Sequence, residues 1–385
     1  MPAPSPIAAD RRRVVVTGIG LVTTLGSSSA EIRGRLAAGE VAASRPVSGA
    51  PGLRLATIAG FEARPHFRQP KALKLTDRKT QLAVAAAALA VADAGLADES
   101  ARDDWAIVLG CSASDLQSAE LARALGPLDP AAPQRAVGDL PFFAERVLSG
   151  LNPLWLLINL PNMVGAHVGI QLASHGPNHT LTGDSIAGTQ ALGEAWLAIA
   201  GGEREIALAG GADAPLDPFD LGVLATGHRT PEAPAFLLSE GAAVWVLEER
   251  EHARRRGARV LGEVRGYGSA AAIGGDATAA RRRAARGAIG AIGARGARGA
   301  MGARGEMEPG ADAHRLGSGS AAPMGVEIHR RLGHSLAAAG PIEGALLLAE
   351  LAAVPGSAPA AAGLLLSAGT LGQCAALALA GPDRP

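Results

Sequence analysis

Cysteine is almost missing from this chain of 385 residues, which holds only Cys111 and Cys374. Two thiols so placed allow at most one disulfide and match no zinc-ligand spacing. A disulfide scaffold and a structural metal are therefore excluded, and a reducing, cytoplasmic setting is expected. An excess of either charge is missing too. Lys+Arg and Asp+Glu are 36 each, for a formal net charge of zero, which removes the footprint of a nucleic-acid binder or a polybasic membrane anchor. Lysine is confined to Lys71, Lys74 and Lys79, so no lysine chemistry is open to the C-terminal half. Aromatic residues are scarce at 3%, leaving few clues to a pocket. Uninterrupted apolar runs are lacking as well. The richest, 151–173, is broken by Asn152, Pro153, Asn159, Pro161, Asn162, His167 and Gln171; it reads as buried helix or interface and not as a membrane span. The opening MPAPSPIAAD has no apolar core, so no export is expected.

Glycine and proline are abundant, at 51 and 25, well above the average share of about 12% for the two together. Between the turns this implies, strand and helix patterns alternate as in an α/β protein with both sheet faces covered. Val14-Val15-Val16 reads as a buried strand ending in a glycine turn at Gly18-Ile19-Gly20. Thr23 stands where a dinucleotide fingerprint requires its third glycine, so that site is excluded. Thr76 and Asp77 offer caps for an alanine-rich helix stopping at Gly95. Further strands are predicted at 105–110, 178–182, at EIALAGGAD and at AAVWVLEE. The junction Gly183-Asp184-Ser185 leads from a strand into a helix beginning at Ile186. Asp184 there reads as an N-cap. Residues 287–305 repeat Gly-Ala-x with seven glycines. At about 1 kcal/mol per interior glycine, a regular helix is not expected there. Order returns at EGALLLAELAAV, a helix, and at GLLLSAGTLGQCAALALAG, two strands around a glycine turn.

Five stretches together carry a family resemblance: Val14 to Thr23; the Asp77-Arg78 helix start; Gly176-Pro177-Asn178-His179-Thr180 through Ala187-Gly188-Thr189-Gln190-Ala191-Leu192-Gly193; Ser239-Glu240-Gly241-Ala242-Ala243; and Gly333-His334-Ser335-Leu336-Ala337-Ala338-Ala339-Gly340-Pro341-Ile342-Glu343. They resemble the β-ketoacyl-acyl-carrier-protein synthases. The resemblance implies an α/β thiolase-like ketosynthase fold, two pseudo-repeated halves in five layers, here 12–250 and a shortened 251–385. It also implies a dimer, acyl chains delivered on an acyl carrier protein, and no cofactor. Condensing members of the family use a cysteine at a helix N-terminus and two histidines. The helix end acidifies the thiol and supplies oxyanion donors, and the imidazoles hold the enolate charge left when malonyl loses CO2.

Aligned on that pattern, Ser185 stands in the place of the nucleophilic cysteine. It is either a capping or packing residue or a residual acyl carrier, since a hydroxyl needs a base to attack. The resemblance makes His334 the second active-site histidine and His314 the first, only twenty residues before it. The lysine expected ahead of the second histidine is absent, and His329 and Arg330 stand near its place. Gly369 and Thr370 fall in the oxyanion turn, Thr370 replacing a gating phenylalanine. With the nucleophilic cysteine and the active-site lysine missing, the expected function is a non-condensing, chain-length-factor-like subunit paired with a ketosynthase or with itself. The alternatives are a Ser185-dependent acyltransferase or hydrolase and an atypical β-ketoacyl synthase.

Overall fold

The computed structural model describes residues 11–97, 102–112, 118–126, 140–227, 236–272, 277–290, 313–316, 324–353, 362–369 and 372–382. Strand β1 (Val14–Val22) is the spine of the fold and is buried along almost all its length. Gly18 and Gly20 do not form the expected turn; they lie inside β1, beside an irregularity between Val16 and Gly18. The reason is helix α1 (Arg78–Asp93), which crosses the strand so closely that a Cβ on Gly18 would stand 2.3 Å from the Ala90 carbonyl oxygen. One on Gly20 would stand 1.9 Å from that of Ala86. The fully buried Ala83, Ala86, Ala87 and Ala90 complete this flat contact. Asp77 caps α1 by accepting from the Thr80 N–H at 2.8 Å, and Gly95 ends it with φ +68.

The remaining strands are β2 (Ser44–Val47), β3 (Ala50–Ala56), β4 (Ala106–Cys111), β5 (Asn178–Thr182), β6 (Ile206–Asp213), β7 (Phe236–Ser239), β8 (Gly241–Glu249), β9 (Gly262–Ala271), β10 (Ala313–Leu316), β11 (Ala362–Ala368) and β12 (Gln373–Ala380). The large sheet runs β5-β4-β6-β8-β1 and continues through a short β1–β9 pairing into β9-β12-β11-β10. The two segments face each other across helices α3 (Ala187–Ala200) and α6 (Ala339–Ala353), which pack on strands of both. Helix α1, with α2 (Met163–Leu172), covers the outside of the first segment. Helix α4 (Ala277–Gly290) covers the outside of the second. The order is helix, sheet, helix, sheet, helix: the five layers of a thiolase-like ketosynthase fold. The stretch 336–353 has the length and hydropathy to cross a bilayer, but 78% of it is buried between the sheets.

Helix α4 corrects part of the Gly-Ala-x expectation, because Gly287 to Gly290 form its last turn. Gly268 of β9 lies so close beneath that a Cβ there would meet the Ala284 carbonyl oxygen at 2.2 Å. Burial of Ala280, Ala284 and Ala288 against the sheet offsets the glycine cost. Residues 291–305 lie outside the described ones. The elements β9, α4, α6, β11 and β12 repeat the order and sheet positions of β1, α1, α3, β6 and β8. The likeness breaks at β10, which pairs antiparallel with β11 where β4 runs parallel to β6. A small sheet, β2-β3-β7, stands beside the large one. It is tied to the start of α1 by Arg78, whose guanidinium grips fully buried Glu240 with two bonds of 2.8 Å, while Glu240 also accepts the Ile58 N–H. The Asp77-Arg78 and Ser239-Glu240-Gly241 motifs are thus structural partners.

Candidate active site at the N-terminus of a central helix

Ser185 lies in the loop between β5 and α3, and Gly183 before it donates its N–H to the Cys111 carbonyl at 3.0 Å. Asp184 is not the side-chain cap expected from sequence. The N-cap is Ile186, which makes no side-chain cap bond, and Asp184 uses its backbone carbonyl to accept from Ala187. Its carboxylate turns instead toward Gly369, where a Cβ would stand 2.5 Å from Asp184 Oδ1. The first turn of α3 carries no acidic residue, so the positive end of the helix dipole is directed toward Ser185.

A second loop meets that helix end because glycines let backbones touch. A Cβ on Gly188 would lie 2.0 Å from the Ala337 carbonyl oxygen, and one on Gly211 would lie 2.3 Å from the same atom. Gly333, at φ +91, turns the chain out of helix α5 (Met324–Leu332). His334 then pairs with β7, donating its N–H to Leu237 and accepting from Ser239. Ser335 Oγ bonds Ser239 Oγ at 2.8 Å. The fully buried Asp213 carboxylate accepts the N–H of Ala337 as well as the N–H and hydroxyl of Ser112. Burial pushes the Asp213 carboxyl up to about 6, against the opposing pull of Lys79 and those hydrogen bonds.

These contacts bring Ser185 and His334, far apart in sequence, together: Ser185 Oγ lies 3.3 Å from His334 Nε2. His334 Nδ1 accepts the backbone N–H of Leu336 at 3.1 Å. That bond assigns the proton of the neutral ring to Nε2, so the imidazole donates toward Ser185 and the space beside it. An Nε2–H aimed this way stabilises a developing oxyanion or enolate; it is not placed to withdraw the serine proton. The ring is held between Phe236, 5.6 Å away and tilted, and His329, stacked at 4.5 Å.

Of the two residues near the missing lysine, His329 faces the site and touches the carboxylate of Glu343, which is 1% exposed, whereas Arg330 is exposed. Gly369 borders Asp184, and Thr370 lies outside the described residues. His314 is placed by its backbone, opposite Leu364 on β10, a strand that packs beside α5 and α6. Cys111 and Cys374 are both buried, in β4 and β12. Sequence reasoning passed over the contact of Glu343 with His329 and the support from Asp213. Glu343 closes the quoted motif and was the available signal; nothing around Asp213 marked its partners.

The profile of the family described as beta-ketoacyl synthase, N-terminal domain, matches residues 11–253. The 3-oxoacyl-[acyl-carrier-protein] synthase 2 of Rhizobium meliloti (strain 1021) is 30% identical over 294 residues, covering 69% of this chain and 65% of that protein. A putative polyketide beta-ketoacyl synthase 1 of Streptomyces halstedii is 32% identical over 280 residues, covering 66% and 63%. The chain thus spans less than two thirds of the length of these relatives. In structure, the ishigamide ketosynthase/chain length factor superposes with a TM-score of 0.72 at 23% identity, covering 97% of this chain and all of that one. The ketosynthase complex AntDE:AntF superposes with a TM-score of 0.68 at 20% identity and the same 97% coverage of this chain; both likenesses show the fold. With the profile match spanning most of the chain and the layered fold agreeing with it, the chain belongs to the β-ketoacyl synthase family.

Proposed function

We propose that the chain is a non-condensing, chain-length-factor-like subunit of fatty-acid or polyketide synthesis, in which Ser185 fills the nucleophile position without serving as a nucleophile. The observation that carries this reading is the direction of His334. Its Nδ1 accepts the Leu336 N–H, and its Nε2 therefore donates toward Ser185. A hydroxyl with no base to take its proton does not attack a thioester at a useful rate. The donor remains suited to holding an enolate oxygen, so decarboxylation of a malonyl thioester stays within the site's chemistry.

Features outside the site support carrier-protein and partner roles. Arg64, Lys71 and Lys74 are exposed on two successive short helical turns with Arg68 exposed between them, and residues 63–76 contain no acid. That strip suits an acidic carrier protein. The outer edge of β5, with α3, borders a cavity of about 780 Å³ that includes Arg11, His179, Leu181, Glu194 and Leu197. Leu154, Leu156, Leu157 and Leu160, on and beside the short helix Trp155–Asn159, are exposed as well. A sheet edge that no strand among the described residues pairs with, and exposed leucines, favour burial against a ketosynthase subunit.

The Ser185–His334 contact favours a second reading, a serine acyltransferase or hydrolase. Intact mass after incubation with acyl- and malonyl-loaded carrier protein separates the two. The proposal expects no adduct on this chain; an adduct that vanishes in Ser185→Ala establishes the second reading.

A further inference from the structure

Behind the donor ring of His334 lies a second imidazole with a carboxylate of its own. His329 stacks on His334 with centroids 4.5 Å apart and planes 21° from parallel, and its Nε2 contacts Glu343 Oε1. The Glu343 side chain is 1% exposed and that of His329 14%. A carboxylate this deep requires either a proton or a cation against it. Two imidazoles in face contact disfavour being charged together, and the Nδ1 bond to Leu336 reserves the neutral form for His334. The proton of the cluster is therefore held on the His329–Glu343 side.

We propose that His329 and Glu343 form a buried proton-holding pair that positions His334 and makes the site responsive to pH, a response that a lysine at this place would not give. The proposal deepens the reading of His334 as the site's donor, but its test needs no activity.

The surroundings leave Glu343 as the pair's governing partner. On α5 itself, Arg330 is exposed and Arg331 donates to the Leu36 carbonyl. Past the end of β7, Glu240 is bound by Arg78. Under the His334 loop, Asp213 is bound by Ser112 and Ala337. Beyond Ser185, Asp184 borders Gly369. His314 stands on β10, which packs against α5 and α6. Burial pushes the His329 imidazole down, to about 4; a carboxylate in contact with the ring, as Glu343 is, favours its charged form.

Two-bond 1H–15N spectra of the histidine rings of the full chain, recorded from about pH 4 to about pH 9 to span ordinary histidine titration, test this. In the wild type the His334 signals should show an inflection at the midpoint of His329. In His329→Lys, which carries a constant charge, that inflection should disappear. Its persistence there overturns the proposal, as does a wild-type His329 that does not titrate. If His329→Lys yields no folded protein, Glu343→Gln serves the same end. The His329 midpoint should fall by about one unit or more and the His334 inflection should move with it; an inflection that stays in place overturns the proposal.

Discussion

Sulfur and oxygen at position 185 differ in what the helix end can do for them. A thiol there gains from the dipole of α3, whose first turn carries no acid; a hydroxyl remains protonated. Ser185→Cys should therefore alkylate with an apparent pKa below the ordinary thiol value of about 8.5. The pH dependence of iodoacetamide labelling measures it against little background, since Cys111 and Cys374 are buried. A value at or above the ordinary one would mean that Asp184 outweighs the helix. Asp213 gives a second prediction. Its carboxyl is raised to about 6 from 3.8, so the native state binds the proton more tightly than the unfolded chain. The cost of its charge is absent below the unfolded value, grows as pH rises, and is complete above about 6. Thermal melts should show the stability of wild type relative to Asp213→Asn falling by about 2–3 kcal/mol from pH 4 to pH 7 and levelling off below about pH 3. The meeting of Ser185 with His334 was legible from the motifs around them. Asp213 was not, and of His329 only its place near the missing lysine was, because their roles rest on a stacked ring and on a backbone amide supplied by a distant loop.

Elements meet here through glycine as much as through hydrophobic side chains. Gly188 and Gly211 seat the Ala337 carbonyl, and with it the loop that carries His334. Gly188→Ala would drive a Cβ to 2.0 Å from that oxygen. The expected result is a loss of about 2–4 kcal/mol, read as a lower melting temperature, together with displacement of His334 from Ser185. An unchanged melting temperature would show that the loop is not seated as described. The same logic explains what sequence revealed and what it hid. The Asp77 cap, the Gly95 stop and the β11–β12 pair were legible because local chemistry sets them. The placement of Gly18 and Gly20 within β1 was hidden because the crossing helix α1 dictates it. The last turn of α4 was hidden because its packing on Gly268 outweighs glycine's poor helix propensity.

For the whole molecule, the layered fold and a shortened second half were legible from a few motifs spread along the chain, while the reversed direction of β10 was not. The second sheet segment ends in an antiparallel β10 where the first continues through parallel β4 and β5. At the other end of the sheet no strand among the described residues pairs with the outer edge of β5, and the exposed basic strip 64–74 lies on the surface. Reversing Arg68 and Lys71 to glutamate should weaken carrier-protein binding by at least tenfold at low salt and little at high salt, measured by titration calorimetry. Equal affinities at low salt would remove the strip from the account. Whether this chain shapes chemistry performed elsewhere is decided by product formation when it is reconstituted with a cysteine-bearing ketosynthase. Ser185→Ala in this chain should leave condensation intact, while replacing the nucleophilic cysteine of the other subunit should abolish it. Condensation that survives loss of that cysteine but ends with Ser185→Ala would contradict this expectation.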